Sequence, residues 1–183
     1  PLSIIGILIN AISAAAFWSF GAIYILQSGF AVENAAFFFA ITLIGALIFQ
    51  WPIGYVSDKF NRRISIIICS FVTIITSISL LILINILESE FSYLLIFIAL
   101  VFGGFSYPLY SLFISLANDF LDSGSFVKAS SSLLIINGVG SIFGPILAAI
   151  FIFFFHEFGL FVLIIIINIS IILIAFNELK YGK

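Results

Sequence analysis

Half of the positively charged side chains in this sequence lie in one stretch, "GYVSDKFNRR", at residues 54–63. Three of the six Lys and Arg residues lie in it, next to one carboxylate, in a chain of which 8% of residues are charged. Basic residues alone would suffice to hold a loop on one side of a membrane. The added carboxylate and glycine predict instead a tight turn beside a cluster of charges, formed by Gly54, Asp58, Lys59, Asn61, Arg62 and Arg63.

Uncharged polar residues that could bind a ligand lie inside long apolar runs. In hydrocarbon such side chains must face protein or a water-filled cavity. Asn10, Ala14, Phe17, Gly21 and Tyr24 recur at steps of four and three residues, which places them on one face of a helix. That face could pack against a neighbouring helix or line a cavity, and both alternatives stay open. The candidates for a substrate cavity are Asn10, Ser13, Tyr24, Tyr107 and Asn137.

A set of small residues predicts a close contact between helices. Gly140, Gly144 and Ala148 are four residues apart, and such spacing lets the backbone of another helix approach. Pro145 follows in the same run and is expected to kink the helix, as is Pro108 in an earlier run. We expect a packing role for these glycines rather than a binding role.

The residues needed for enzyme chemistry are nearly absent. There is one cysteine, Cys69, and one histidine, His156, which lies outside the apolar runs. A protease or metal enzyme inside a membrane needs a histidine or acidic ligands at membrane depth, so we expect no catalytic residue, no metal site and no cofactor. No ionisable residue lies in the middle of a run. A proton-carrying group, if one is used, is therefore expected at Glu33, at Asp119 or outside this sequence.

The composition indicates that lipid surrounds the elements that position these residues. Hydrophobic residues make up 64% of the chain, and its mean hydropathy is +1.40. A soluble domain has about a quarter of its residues charged, and a membrane-spanning helix needs about 20 apolar residues. We predict an all-α polytopic membrane protein, a single six-helix transmembrane domain over residues 1–183. The expected spans cover about residues 2–27, 35–56, 64–86, 93–116, 129–155 and 160–176.

The charges fall on two sides of these six predicted spans. Every Lys and Arg follows an even-numbered span, whereas Glu33, Glu88, Glu90 and Glu157 lie in the loops on the opposite side. Positive charge is retained in the cytoplasm during insertion, so both ends of the segment are expected to be cytoplasmic. The net charge of −2 gives no reason to expect a nucleic-acid partner.

The stretch at 54–63 resembles the signature loop of the major facilitator superfamily, Gly-x-x-x-Asp-Arg/Lys-x-Gly-Arg/Lys-Arg/Lys. It departs only at Asn61, and asparagine is the non-glycine residue that best tolerates a left-handed backbone. With "YPLYSLFISLAND" and "NGVGSIFGPILAA", the chain resembles the second six-helix half of bacterial YcaD-like permeases. One feature, Gly140-x-x-x-Gly144-Pro145, also resembles a motif of the first half.

The resemblance implies a secondary transporter, or permease, of the bacterial inner membrane that works by alternating access. It implies a small-molecule substrate, a surrounding lipid bilayer and an N-terminal six-helix half as partners. In such proteins the loop latches one conformation. Asp58 would face a helix N-terminus of the other half, and Gly54 would admit a neighbouring helix. The sequence has no Met and begins at Pro1, so we expect a piece of a longer protein. The alternative is a half-size protein that acts as a homodimer or as a non-transporting scaffold.

Overall fold

A computed structural model of the chain describes residues 2–86, 92–120 and 126–181, and the regular structure in these ranges is helical. A short 3-10 helix, His156–Phe158, joins the last two α-helices. The seven α-helices are α1 (Leu2–Gln27), α2 (Val32–Lys59), α3 (Arg62–Ile86), α4 (Tyr93–Ser106), α5 (Pro108–Asn118), α6 (Phe126–Phe155) and α7 (Gly159–Tyr181). The all-helical class predicted from the composition is therefore confirmed.

The number of membrane spans differs from the six that the sequence predicts. By length and composition, five helical stretches in the described ranges could cross a membrane. The first four correspond to α1, to α2, to α3, and to α4 together with α5. The fifth stretch runs from Ala129 to Lys180 over 52 residues and covers most of α6 and of α7. The six-span count accordingly remains a prediction.

Proline divides the fourth predicted span and leaves two other helices continuous. α4 ends at Ser106 and α5 begins at Pro108, with Tyr107 between them in helical backbone geometry. Proline has no N–H to donate and its ring crowds the preceding turn, so a helix commonly restarts there. Pro52 and Pro145 instead lie inside α2 and α6, which continue past them. The break places Tyr107 at a helix junction.

Glycines lie at the contact between α1 and α6. α1 packs mainly on α6, α2 on α4 and α3 on α7. A β-carbon at Gly140 would overlap the Leu8 carbonyl oxygen and lie 2.8 Å from the Ala11 β-carbon. One at Gly144 would lie 2.7 Å from the Ala15 β-carbon. These two α6 glycines thus bring α6 against the backbone of α1.

Several hydroxyl groups on α3 donate to backbone carbonyls of the same helix. The hydroxyls of Thr73 and Ser77 donate to the carbonyls of Cys69 and Thr73, at 2.9 and 2.7 Å. Such bonds to the carbonyl four residues earlier let a hydroxyl be buried without an external partner. α3 can therefore pack a polar stripe against α7 and α4 inside an apolar bundle.

The outer surface of the bundle is strongly apolar. Large side chains such as Leu47 (76% exposed), Ile135 (69%) and Phe153 (75%) project from it. In water this surface would be an extended hydrophobic patch, whereas in a bilayer it matches the solvent. The exterior of the bundle is therefore suited to contact with lipid.

Candidate functional site

Arg62 joins three helices at one end of the bundle. It begins α3, and its guanidinium contacts Asp58 near the end of α2 (Nη1–Oδ1, 2.9 Å) and Asp119 just after α5 (Nε–Oδ2, 2.7 Å). The two acids come from segments that are far apart in the sequence. One arginine with two carboxylates therefore ties the ends of α2 and α5 to the start of α3.

Asn61 has a different role from the one that the sequence suggested. Its side-chain Oδ1 accepts from the backbone N–H of Arg63 at 2.9 Å, and its carbonyl accepts from Ile64 at 2.9 Å. Among the described residues only His156 is a non-glycine residue with positive φ, so Asn61 has no left-handed backbone. It caps the N-terminus of α3, a position for which asparagine is among the best residues.

Glu178, near the end of α7, connects two further helices at the same end. Its Oε1 accepts from the backbone N–H of Leu2 at 2.7 Å, and its Oε2 lies 3.4 Å from Nε of Arg63. The start of α1, the start of α3 and the end of α7 therefore meet. Lys59 Nζ lies 4.3 Å from the centroid of the Tyr55 ring, a cation–π contact. We call this region, with Asp58, Arg62, Arg63, Asp119 and Glu178 at its centre, the charged end.

Two signature residues, Asp58 and Gly54, border space that the described chain does not fill. The Asp58 side chain is 64% exposed, against 23% for its partner Arg62. A β-carbon at Gly54 would have no atom within 4 Å, so the close helix expected beside Gly54 is not found within the described residues. Glu88, Glu90 and Lys183, on which the predicted sidedness of the loops partly depends, lie outside the described residues, as does the Lys128 side chain.

A cavity of about 180 Å³ lies in the bundle, between α1, the α4–α5 junction, α6 and α7. Four of the five predicted cavity residues line it, namely Asn10, Ser13, Tyr107 and Asn137. The other non-aromatic lining residues are Ala14, Ser106, Leu109 and Asn168. None of the lining residues carries an ionisable acid or base other than a tyrosine hydroxyl.

Tyr24, the fifth predicted cavity residue, lies elsewhere. It is 6% exposed, and its ring packs edge-on against Phe161 with the centroids 5.1 Å apart. Tyr24 shares the helix face of Asn10 but lies fourteen residues further along α1. A rise of about 1.5 Å per residue separates the two by about 21 Å. Part of this face of α1 therefore lines the cavity and part of it packs against other helices.

Asn168 lines the cavity although sequence reasoning missed it. It is 2% exposed, and its Nδ2 donates to the Ile164 carbonyl at 2.9 Å. Its Oδ1 and the Tyr107 hydroxyl are buried and have no hydrogen-bond partner in the described part of the chain. The signal was present in the sequence, because Asn168 is an amide in the middle of the otherwise apolar run 160–176.

Aromatic rings form the rest of the wall. Five of the twelve lining residues are aromatic. The Phe17 and Phe102 rings lie 5.0 Å apart between centroids, and Trp18 meets Tyr107 edge-on at 6.1 Å. Such rings offer flat apolar surface, and the tyrosine and tryptophan rings add a polar edge. Amides, hydroxyls and rings around a space can bind a small molecule without any covalent chemistry.

Comparisons with known proteins cover nearly the whole chain. The sequence profile of the Major Facilitator Superfamily matches residues 3–180. The uncharacterized MFS-type transporter YcaD of Escherichia fergusonii is 22% identical over 180 residues, 98% of this chain and 45% of its own length. The protein of the same name from Salmonella paratyphi B is 25% identical over 163 residues, 89% of this chain and 40% of its own. The chain thus spans less than half the length of these curated relatives.

Proposed function

This chain belongs to the Major Facilitator Superfamily, and we propose that it forms part of a secondary transporter that moves a small solute by alternating access. The membership confirms the resemblance read from the stretch at 54–63 and from the similarity to YcaD-like permeases. The chain is an integral membrane protein. A transporter of this family needs no catalytic residue, so we propose no enzyme activity.

The cavity is the observation that carries the proposal. Its lining includes three asparagines, two serines and two tyrosines, inside a bundle whose exterior is apolar. Polar groups at membrane depth are costly, so they commonly face a partner or a solute pathway. The predicted site residues Asn10, Ser13, Tyr107 and Asn137 are proposed as substrate-contacting residues, and Tyr24 as a packing residue.

The remainder of the transporter is proposed to be an N-terminal six-helix half. The match to 40–45% of each relative's length fits one of two similar halves, and members of this superfamily consist of two such halves. No observation favours either alternative, a homodimer or a scaffold. The charged end, with the exposed Asp58 and the open space at Gly54, is proposed as the face that meets the other half.

We propose six crossings, with α6 and α7 crossing separately. The stretch Ala129–Lys180 has 52 residues, and at about 1.5 Å per residue it would be about 78 Å long as one helix. The hydrocarbon layer is about 30 Å thick. A β-carbon at Gly159, the first residue of α7, would overlap the Phe151 carbonyl of α6, which supports a reversal at His156–Phe158.

The orientation can be tested by cysteine labelling in a variant that lacks Cys69. We expect Asn61→Cys, at the charged end, to react with an impermeant thiol reagent only from the cytoplasm, because positive charge is retained there. Ala31→Cys, between α1 and α2, should react only from outside. Reaction of both positions from the same side would contradict the proposed topology.

Alternating access can be tested without knowing the substrate. Ser106 lines the cavity, so Ser106→Cys should react with the same reagent from either side when each side is tested in turn. Ser70, fully buried on α3 and not in the cavity, supplies the control: Ser70→Cys should react from neither side. The vesicles must stay impermeable to the reagent throughout, which distinguishes a transporter from an open pore. Labelling of Ser106→Cys from one side alone would refute alternating access.

A further inference from the structure

We propose that the cavity binds an uncharged solute, or the uncharged part of a larger one, with a flat apolar or aromatic body and an N–H or O–H donor. Asn168 accepts the hydrogen bond from that donor. This inference rests on the proposed transport function and names the class of ligand that the site takes.

The orientation of the Asn168 amide is fixed by its own helix. Its Nδ2 donates to the Ile164 carbonyl at 2.9 Å, which leaves Oδ1 as the free acceptor. That oxygen is buried without a partner among the described residues, and the whole side chain is 98% buried on the cavity wall. Buried acceptors are nearly always paired. A ligand that brings a donor satisfies Oδ1, whereas an apolar ligand leaves it unpaired.

The Tyr107 hydroxyl is a second unpartnered group on the same wall. It is buried, and no described residue pairs with it. A phenolic hydroxyl can donate or accept. Tyr107 lies at the α4–α5 junction and Asn168 on α7, so these two lining residues come from different helices. A ligand between them can bind both groups, which fixes its orientation as well as its affinity.

The absence of charge in the described lining selects a neutral ligand. The twelve lining residues include no Asp, Glu, Lys, Arg or His. A charged group taken from water into such a site loses its hydration and gains no counter-charge. A neutral donor loses far less, and Asn168 replaces the lost hydrogen bond.

The aromatic wall and the volume define the body of the ligand. Phe17, Trp18 and Phe102 supply ring surface that suits a flat apolar group. The volume of about 180 Å³ lies below the range of roughly 300–1,000 Å³ for pockets that hold drug-sized ligands. The cavity therefore takes a small solute or one part of a larger one. Aromatic rings also attract cations, so a cation is included as an outcome of the test.

Matched pairs of probes test the proposal on the full-length protein in nanodiscs, with empty nanodiscs as the measure of lipid partitioning. The pairs are phenol with anisole and indole with 1-methylindole, in which methylation removes the only donor. Phenyltrimethylammonium is the cationic probe. We expect saturable binding of phenol and indole, about tenfold tighter than that of their methylated partners, because the latter leave Oδ1 unpaired.

Two variants on α7 connect this preference to Asn168. Asn168→Leu removes the acceptor at similar size and should abolish the preference for phenol over anisole. Asn177→Leu makes the same change at an exposed position of the same helix and should preserve it. If Asn168→Leu does not fold, Tyr107→Phe, which removes one hydroxyl, should still weaken phenol binding.

Several results would overturn the proposal: no saturable binding of phenol or indole, equal binding of the methylated probes, tightest binding of the cation, or an unchanged preference in Asn168→Leu. The last would mean that a water or a packing shift satisfies Oδ1. Labelling of Ser106→Cys reports on transport independently of these probes. If Ser106→Cys reacts from both sides but phenol and indole bind no better than their methylated partners, only the proposed ligand class is refuted. If the preference for phenol and indole is found but Ser106→Cys reacts from a single side, only the proposed transport function is refuted.

Discussion

Asp58→Asn is expected to shift the labelling of Ser106→Cys towards the cytoplasmic side by about tenfold, within the 5–150-fold range of typical coupling between sites. Asp58 has an exposed carboxylate at the proposed face with the other half. If that carboxylate holds the cytoplasmic side closed, its neutralisation opens this side more often. The measurement is the ratio of cytoplasmic to external labelling rates.

Folding should be almost unaffected by the same substitution. Arg62 keeps its contact with Asp119 at 2.7 Å, and exposed ion pairs contribute only about 0–1 kcal/mol to stability. Asp119→Asn is the matched control, since it removes the other carboxylate of Arg62 and leaves Asp58 in place. It should change the labelling ratio little. Equal shifts from both variants would mean that the ion pairs within this half, and not a contact of Asp58, set the conformation.

Gly140→Ala is expected to destabilise the protein by about 1–3 kcal/mol, the usual cost of overpacking a well-packed contact. The new methyl group would overlap the Leu8 carbonyl oxygen and force α1 and α6 apart. Gly138→Ala, two residues earlier on α6, provides the control. A β-carbon there has no atom within 4 Å, and alanine favours the helix by roughly 0.5–1 kcal/mol over glycine.

The two glycine variants should therefore move the thermal unfolding temperature in opposite directions. Both can be measured in the same detergent by the fraction of protein that remains monodisperse after heating. The close α1–α6 contact would be wrong if Gly140→Ala were as stable as the unchanged protein.

Features that depend on local sequence could be predicted well. Apolar runs and charges gave helix positions close to those found, because lipid demands long apolar helices whatever their tertiary contacts. The four-residue spacing of Gly140 and Gly144 identified a packing face, since that spacing is set by helix geometry alone. The clustering of Asp58 with Arg62 also follows from local spacing, four residues apart at a helix junction.

Features that depend on partners distant in the sequence could not be predicted. Nothing near Glu178 indicates that it meets Leu2 and Arg63, because the three residues come together only when α1, α3 and α7 pack. Asn168 was overlooked for a related reason. An isolated amide in an apolar run gives no sign of a binding role until the helices around it are known to form a cavity. Asn61 illustrates a third case. Asparagine suits both a helix N-cap and a left-handed turn, so the residue type alone does not distinguish the two roles.

The pairing of α1 with α6 has a consequence for biosynthesis. About a hundred residues separate the end of α1 from the start of α6. At a synthesis rate of about 5–20 residues per second, α1 leaves the ribosome roughly 5–20 s before its main partner. During that interval Asn10 and Ser13 have no cavity to face and no α6 backbone beside them. We expect the translocon or an insertase to shield this polar face of α1 until α6 arrives, so nascent chains stalled before residue 126 should be the ones most readily degraded.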